Sequence, residues 1–337
     1  MRLDRYMALC LGHPLHGYYM VREAFGEEGD FITAPEISQV FGELIGIWCV
    51  AAWQAMGAPA SFNLVELGPG RGTLMADIGR TAKVAPGFLE SAKVHLVETS
   101  PRLREIQKQA IKTGATWHDT LATVPEGPMV LVANEFFDAI PIRQFERRDG
   151  HWRERCVGLA GEALTIGLTD SEAVAGQEAP GKDGDVIEFA SLRSDIAGEI
   201  GARLARHPGA ALIIDYGHLL SAPGDTLQAV RKHKHVPVTE RPGECDLTSH
   251  VDFEALAKAL RQGGAVPWPG LTQRTFLMAM GLEPRTAVLA ARADKGMAGM
   301  LKRAMGRLAD ESQMGNLFKV LTATSPGLAT PYPFGSP

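Results

Sequence analysis

Cysteine is scarce in this chain. Cys10, Cys49, Cys156 and Cys245 are widely spaced, and no C-x-x-C pair occurs. That excludes a disulfide framework and fits a reducing compartment. No apolar run reaches the roughly 20 residues that a membrane span requires. The first residues, Met1 to Tyr6, carry no signal-peptide h-region and no Arg/Ser-rich transit composition, so the expected location is cytoplasmic. Positive charge is not in excess either. A net charge of -5 over 337 residues argues against a general nucleic-acid binder. His233, His235, Cys245 and His250 match no standard zinc spacing, and Arg231, Lys232 and Lys234 would repel a cation. No metal is expected, and this stretch reads as a basic loop beside an acidic ligand or partner. What remains, 45% hydrophobic and 22% charged residues, suits one large globular domain or two.

The chain is organised around Asn63-Leu64-Val65-Glu66-Leu67-Gly68-Pro69-Gly70-Arg71-Gly72-Thr73-Leu74. An apolar run, three glycines and a helical pattern read as strand, tight turn and helix. Glycine allows unusual dihedrals and lets a ligand touch bare backbone. The N–H groups that open the helix suit a negative group. A second run, Lys93 to Val97, ends in Glu98, where a carboxylate can accept both hydroxyls of a ribose. The glycine spacing chooses among ribose ligands. A dinucleotide loop has the form G-x-G-x-x-G, whereas here Thr73 stands at the last glycine position. The pattern E-x-G-x-G-x-G with a later acid is that of class I methyltransferases, which bind S-adenosylmethionine (SAM). A nicotinamide-dependent oxidoreductase is the disfavoured alternative.

Strands are predicted near 62–67, 93–98, 129–133 and 210–215, with helices near 72–84, 101–112 and 191–206. That alternation implies a parallel sheet covered on both faces, an α/β fold. The first 60 residues read as a helical extension. Thr33 and Glu36 have capping-box spacing, and Ile37, Val40, Phe41, Leu44, Trp48 and Ala52 predict one helix from Pro35 to about Met56. The sheet domain is predicted over 61–324, with insertions near 141–190 and 219–250; Asp149-Gly150 marks a hairpin in the first. Ser249 and Asp252 bracket a further helix start, helical patterns lie near 272–280 and 296–309, and Leu317 to Leu321 reads as a last strand. The Pro- and Gly-rich residues 325–337 read as a loose tail.

In an open parallel sheet the ligand crevice lies beyond the carboxyl ends of the strands. Glu66, Glu98, Asn134 and Asp215 all fall at such ends. Asn134 opens the run Asn134-Glu135-Phe136-Phe137-Asp138, where many amino-methylating enzymes carry an N-P-P-Y-type loop. Here two acids, Glu135 and Asp138, replace the prolines. Two carboxylates on one turn suit a guanidinium, whose planar fork matches carboxylates bidentately. The cluster Gly29 to Glu36 suits a lid over a ligand.

The segments H-P-L-H-G-Y-Y-M (13–20), G-D-F-I-T-A-P-E-I-S-Q-V-F-G-E (29–43), E-L-G-P-G-R-G-T-L (66–74), V-E-T-S-P-R-L (97–103), N-E-F-F-D-A-I-P (134–141), I-I-D-Y-G-H (213–218) and G-D-T-L-Q-A-V (224–230) occur in that order. Together they resemble the MidA family of SAM-dependent methyltransferases, from residue 6 to about 321. This family includes the mitochondrial complex I assembly factor. The resemblance implies a Rossmann-like class I methyltransferase sheet with an N-terminal helical extension and insertions. By position, Glu66, Gly68, Gly70 and Gly72 would line the methionine end of SAM, and Glu98 would hold its ribose. Asp119 would lie near adenine, and Asn134, Glu135 and Asp138 would face the acceptor. Asp30, Glu36, Ser38 and Gln39, with Asp215 and Tyr216, would form the lid and acceptor channel. The implied partner is a protein carrying the acceptor arginine, in the family's mitochondrial member the quinone-site core subunit of complex I. A SAM-binding assembly factor without essential catalysis is the alternative. The oligomeric state is unspecified.

Overall fold

The structure, a computed structural model, describes residues 1–21, 33–172 and 180–335. It contains two compact units. The sheet unit comprises Ile32–Phe137, Ser194–Leu219 and Val251–Pro337. The accessory unit comprises Met1–Phe31, Asp138–Arg193 and Leu220–His250.

In the sheet unit, β1 (Phe62–Leu67), β2 (Ala92–Val97), β3 (Thr116–His118) and β4 (Met129–Asn134) run parallel in the order β3-β2-β1-β4. The strand Gly209–His218 continues the parallel sheet beyond β4. Phe318–Thr324 then pairs antiparallel along it, and Val266–Pro267 and Leu271–Thr272 pair with Phe318–Thr324. β1 has β2 on one side and β4 on the other, so the connections diverge there and a crevice opens beyond its carboxyl end.

The central strands are apolar because both their faces are buried. Leu64, Val130, Val132, Leu212 and Ile214 join one core. Val65, Leu67, Leu131, Ala133 and Ile213 join the other. The first face is covered by the helices Gln39–Ala55 and Thr73–Thr81, which approach closely because Gly42 and Gly46 carry no side chain. A Cβ on Gly42 would lie 2.5 Å from the Cβ of Asp77. The second face is covered by Ser191–Arg206, through Ala197, Ile200 and Leu204, and by Phe253–Gln262.

Local structure departs from expectation at four points. The single helix expected from Pro35 is broken: Ala34–Ile37 and Gln39–Ala55 are separate. Ser38 lies between them with extended backbone (φ -156°, ψ 126°), and its hydroxyl accepts the Val40 N–H. A serine that caps a helix competes with the helix before it. The helix at 253 is capped by Asp252 and not by Ser249; the hydroxyl of Ser249 accepts a hydrogen bond from Arg193. The helix Leu282–Arg292 was not foreseen. The tail is packed as far as residue 335, because Phe334 is buried against Phe276.

The accessory unit is built from three stretches of chain. A four-stranded antiparallel sheet has the order Ala163–Glu172, His151–Ala160, Arg143–Arg148, Val186–Phe189. Its first hairpin turns at Asp149 and Gly150, both at positive φ. Gln228–Arg231 forms a second, three-stranded sheet with Lys234–Val236 and Asp246–Thr248. The helix Leu3–Gly12 buries Leu3, Tyr6, Met7 and Leu11 in one core with Ile142, Val157 and Leu247. The described residues of the N-terminal extension up to Val21 thus fold with the two expected insertions, and those from Thr33 belong to the sheet unit. Arg193 anchors this arrangement. It is 4% exposed and donates to the carbonyls of Asp138, Ile140, Ser249 and His250 and to the Ser249 hydroxyl.

β2 and β3 carry a buried histidine pair, His95 and His118, with Nδ1 and Nε2 3.0 Å apart. Burial, and then the charge of His118, push the His95 pKa down to about 4. Burial likewise lowers the pKa of His118. The unfolded chain therefore binds protons that the native state refuses. The pair's contribution is complete above pH 6.5 and is lost as the pH falls toward 4. Urea unfolding should show a loss on the order of 2 kcal/mol across that window, and a His95→Gln variant should show a flatter profile. Equal pH slopes for the two proteins would refute this account.

Candidate functional site

The site is assembled at the carboxyl ends of β1, β2 and β4. The loop after β1 turns sharply, with Gly68, Gly70 and Gly72 at φ +61°, +52° and +82°. L-residues rarely take these values, so the backbone itself demands glycine. Two of the three have a second reason. A Cβ on Gly68 would lie 2.7 Å from the Phe136 ring, and one on Gly72 would lie 3.2 Å from Ile111 and 3.4 Å from Gln107.

Glu66 and Asn134 end neighbouring strands and share a sheet face with Leu64 and Val132. Glu66 is 3% exposed and Asn134 8% exposed. Glu66 Oε2 and Asn134 Oδ1 are buried without a hydrogen-bond partner. Burial lifts the Glu66 carboxyl to about 8, opposed by the backbone N–H of Met75. Two orphaned acceptors beside a bare loop are costly unless a ligand donates to them, and the ammonium of SAM is a donor of the required kind.

Glu98 follows β2. Its Oε1 accepts the Ser100 N–H at 2.8 Å and its Oε2 accepts from Gln107 at 3.2 Å. Burial raises its pKa, and these hydrogen bonds pull the other way. Its backbone carbonyl accepts from the guanidinium of Arg104, which also donates to Asp119 at 2.6 Å. Asp119 is thereby tied to the Glu98 turn, with its side chain exposed to solvent.

Beyond β4 the backbone takes another unusual step: Glu135 has φ +50°. Its Oε1 accepts the Ala34 N–H at 2.9 Å and the Asn134 amide at 3.1 Å. The helix Ala34–Ile37 is thus held to the end of β4 by Glu135. It is also held to the glycine loop, since Glu36 lies 3.9 Å from Arg71.

The expected lid and channel residues are not gathered in one place. Asp30 lies outside the described residues. Glu36 closes the capping box with Thr33, Ser38 caps the next helix, and Gln39 is exposed and donates to Glu43 on its own helix. Asp215 lines no channel. It is 0% exposed, and its carboxylate accepts the N–H groups of Phe136, Phe137 and Tyr216. Tyr216 packs in the core edge-on to Phe318. Asp138 belongs to the accessory unit, where it is 6% exposed and its carbonyl accepts from Ser249 and Arg193. Gln107 and Arg104 escaped the sequence reasoning, because polar residues on an amphipathic helix carry no distinguishing signal.

The geometry changes what a substitution at Gly70 can test. Valine there would strain the backbone as well as block a ligand, whereas asparagine tolerates the left-handed region. Gly70→Asn should lose less than ~1 kcal/mol of stability while S-adenosylhomocysteine binds at least about tenfold more weakly. Gly70→Val should lose both. Calorimetry with thermal unfolding checks this, and unchanged affinity in Gly70→Asn would place the cofactor elsewhere.

Comparison with known proteins identifies the family. The sequence model of a family described as S-adenosyl-L-methionine-dependent methyltransferase matches residues 44–270. The fruit-fly mitochondrial "Protein arginine methyltransferase NDUFAF7 homolog" is 38% identical, over 96% of this chain and 81% of that protein. The human mitochondrial "Protein arginine methyltransferase NDUFAF7" is 37% identical, over 84% and 70%. The crystal structure of a Burkholderia thailandensis protein bound to S-adenosylhomocysteine superposes with a TM-score of 0.85 at 26% identity, over 98% of this chain and 89% of that one. The mitochondrial relatives overturn the cytoplasmic expectation. Scarce cysteines without a disulfide framework report a reducing compartment but not which one. No helix among the described residues is long and apolar enough to cross a membrane. The fold, the glycine loop with its buried acceptors, and these matches together place the chain in the MidA-like family of S-adenosylmethionine-dependent methyltransferases.

Proposed function

We propose that this enzyme transfers a methyl group from SAM to an arginine side chain of a protein. The observation that carries the proposal is Glu135, a non-glycine residue in the left-handed region just past the central strand. Such a conformation costs on the order of 1 kcal/mol or more, and it persists where the surroundings enforce it, often at active sites. Glu135 and its neighbour Asn134, with a buried unpaired carbonyl oxygen, stand where the crevice opens. The names of the relatives, protein arginine methyltransferases, support the same acceptor. The family resemblance extends the proposal to the quinone-site core subunit of complex I as the protein substrate.

SAM, when bound, supplies an electrophilic methyl group on a sulfonium. Gly68, Gly70 and Gly72 with Glu66 would seat its methionine end, and Glu98 its ribose, with Asp119 toward the adenine. Glu135 would orient the planar guanidinium and accept its proton as the new carbon–nitrogen bond forms. A carboxylate would hinder a lysine acceptor, since it raises the ammonium pKa and keeps the lone pair protonated. An arginine is cationic throughout and gains from having its charge localised.

Glu135→Gln keeps an oxygen that can accept the Ala34 N–H and removes the charge. It should leave SAM affinity nearly unchanged and slow single-turnover methylation on the order of a hundredfold. Mass spectrometry of the acceptor identifies the modified side chain. Methyl groups only on lysine, a small molecule or a nucleobase would refute the arginine assignment, as would full activity in Glu135→Gln.

A further inference from the structure

Gln107 lies on the helix Pro101–Ala110 and is 0% exposed. Its side chain touches three parts of the site at once. The amide nitrogen donates to the Gly70 carbonyl at 2.7 Å and to Glu98 Oε2 at 3.2 Å. The amide oxygen accepts the indole N–H of Trp117, on β3, at 2.8 Å. An indole N–H can only donate, so the amide cannot be flipped: its oxygen must face Trp117, and its NH2 must face the loop and the acid. Each of the two amide hydrogens then has its own acceptor. The contact is close at the backbone as well, since a side chain at Gly72 would meet the Cα of Gln107.

We propose that Gln107 is a positioning residue for cofactor binding. It sets the carboxylate of Glu98 and the central carbonyl of the glycine loop in one fixed relation. The amide keeps Glu98 Oε2 in place while Ser100 keeps Oε1, so the carboxylate presents one orientation to a vicinal diol. Through Gly70 it fixes the turn that would take the amino-acid end. One uncharged side chain thereby couples the two halves of the cofactor site, and Trp117 holds that side chain in register. Glu98 is half-buried, and burial favours its neutral form. A donor at Oε2 favours the ionised form, which is the better acceptor for two hydroxyls. The inference rests on the proposed role of Glu98 at the ribose.

The test measures the binding of S-adenosylhomocysteine and of its 2′-deoxyribose analogue by calorimetry, with the full-length protein. Loss of the hydroxyl should weaken binding to the wild type about tenfold. In Gln107→Met, which keeps the length and loses the amide, affinity for S-adenosylhomocysteine should fall about tenfold and the hydroxyl penalty should shrink to a factor of about two. Trp117→Phe, which keeps a ring and loses the indole N–H, should shift both quantities the same way by a smaller amount. Gln107→Glu places a second carboxyl against Glu98, so its affinity should recover as the pH falls and one proton is shared, a recovery that Gln107→Met lacks. A hydroxyl penalty that stays at its wild-type size in Gln107→Met and Trp117→Phe would overturn the inference. Should Gln107→Met fail to fold, the Trp117→Phe penalty and the pH profile of Gln107→Glu decide it by the same criteria. Glu98→Gln separates the two failures: if it leaves the penalty untouched, the ribose assignment of Glu98 falls, and if it alone abolishes the penalty, only the role of Gln107 falls.

Discussion

Three backbone N–H groups converge on one buried carboxylate. Asp215 accepts from Phe136, Phe137 and Tyr216, with no exposure to water. The turn after β4 depends on it. With Phe136 and Phe137 held, the Phe136 ring lies against Gly68, which can have no side chain in consequence. With Gly68 and Asn134 placed, Glu135 is driven into the left-handed region, where it receives the Ala34 N–H. Removing the Asp215 carboxylate would leave backbone donors buried without acceptors, at a cost of roughly 1–3 kcal/mol each. The acid is thus a structural keystone at a strand end where an acid was expected to face ligand.

The candidate site works by restriction. The glycine loop is bare and left-handed at three positions. Glu98 is held at both oxygens, and Glu135 is held at one by two donors. By contrast, Glu66 and Asn134 each keep a buried oxygen with no donor within the described protein. A methyl transfer needs the donor carbon and the acceptor nitrogen in line, and fixed dipoles around them save reorganisation at the moment of reaction. Groups already satisfied by the protein give that rigidity, and the unsatisfied ones mark where a cationic ligand has something to add.

Much of this was legible in the sequence, because strand ends and glycine turns are local signals. The apolar runs located β1, β2 and β4, and the positions of Glu66, Glu98 and Asn134 at their ends followed from period and length. The remainder depends on partners distant in the chain. Nothing in the stretch around Gln107 says that its amide meets Gly70 and Trp117, and nothing around Asp215 says that it turns inward to Phe136. Ser38 could equally have continued a helix; its choice to cap the next one is decided by packing of Gln39–Ala55 against Thr73–Thr81 through Gly42 and Gly46. The accessory unit was least legible, since its three stretches are separated by sheet-unit sequence and are joined by long-range contacts such as those of Arg193.

The strand Phe318–Thr324 lies inside the sheet, between Gly209–His218 and the short strands near 266–272, and among the described residues it follows every other strand of that sheet in sequence. During synthesis, then, the emerging polypeptide holds nearly all its sheet while one edge of Gly209–His218 still offers seven residues of unpaired backbone. An open edge of that length recruits other strands, from neighbours as readily as from itself. The sheet closes only when residues 318–324 are free to pair. A chain cut short of residue 318 would leave that edge exposed and prone to aggregate, so protection of the edge has to last until this strand has paired.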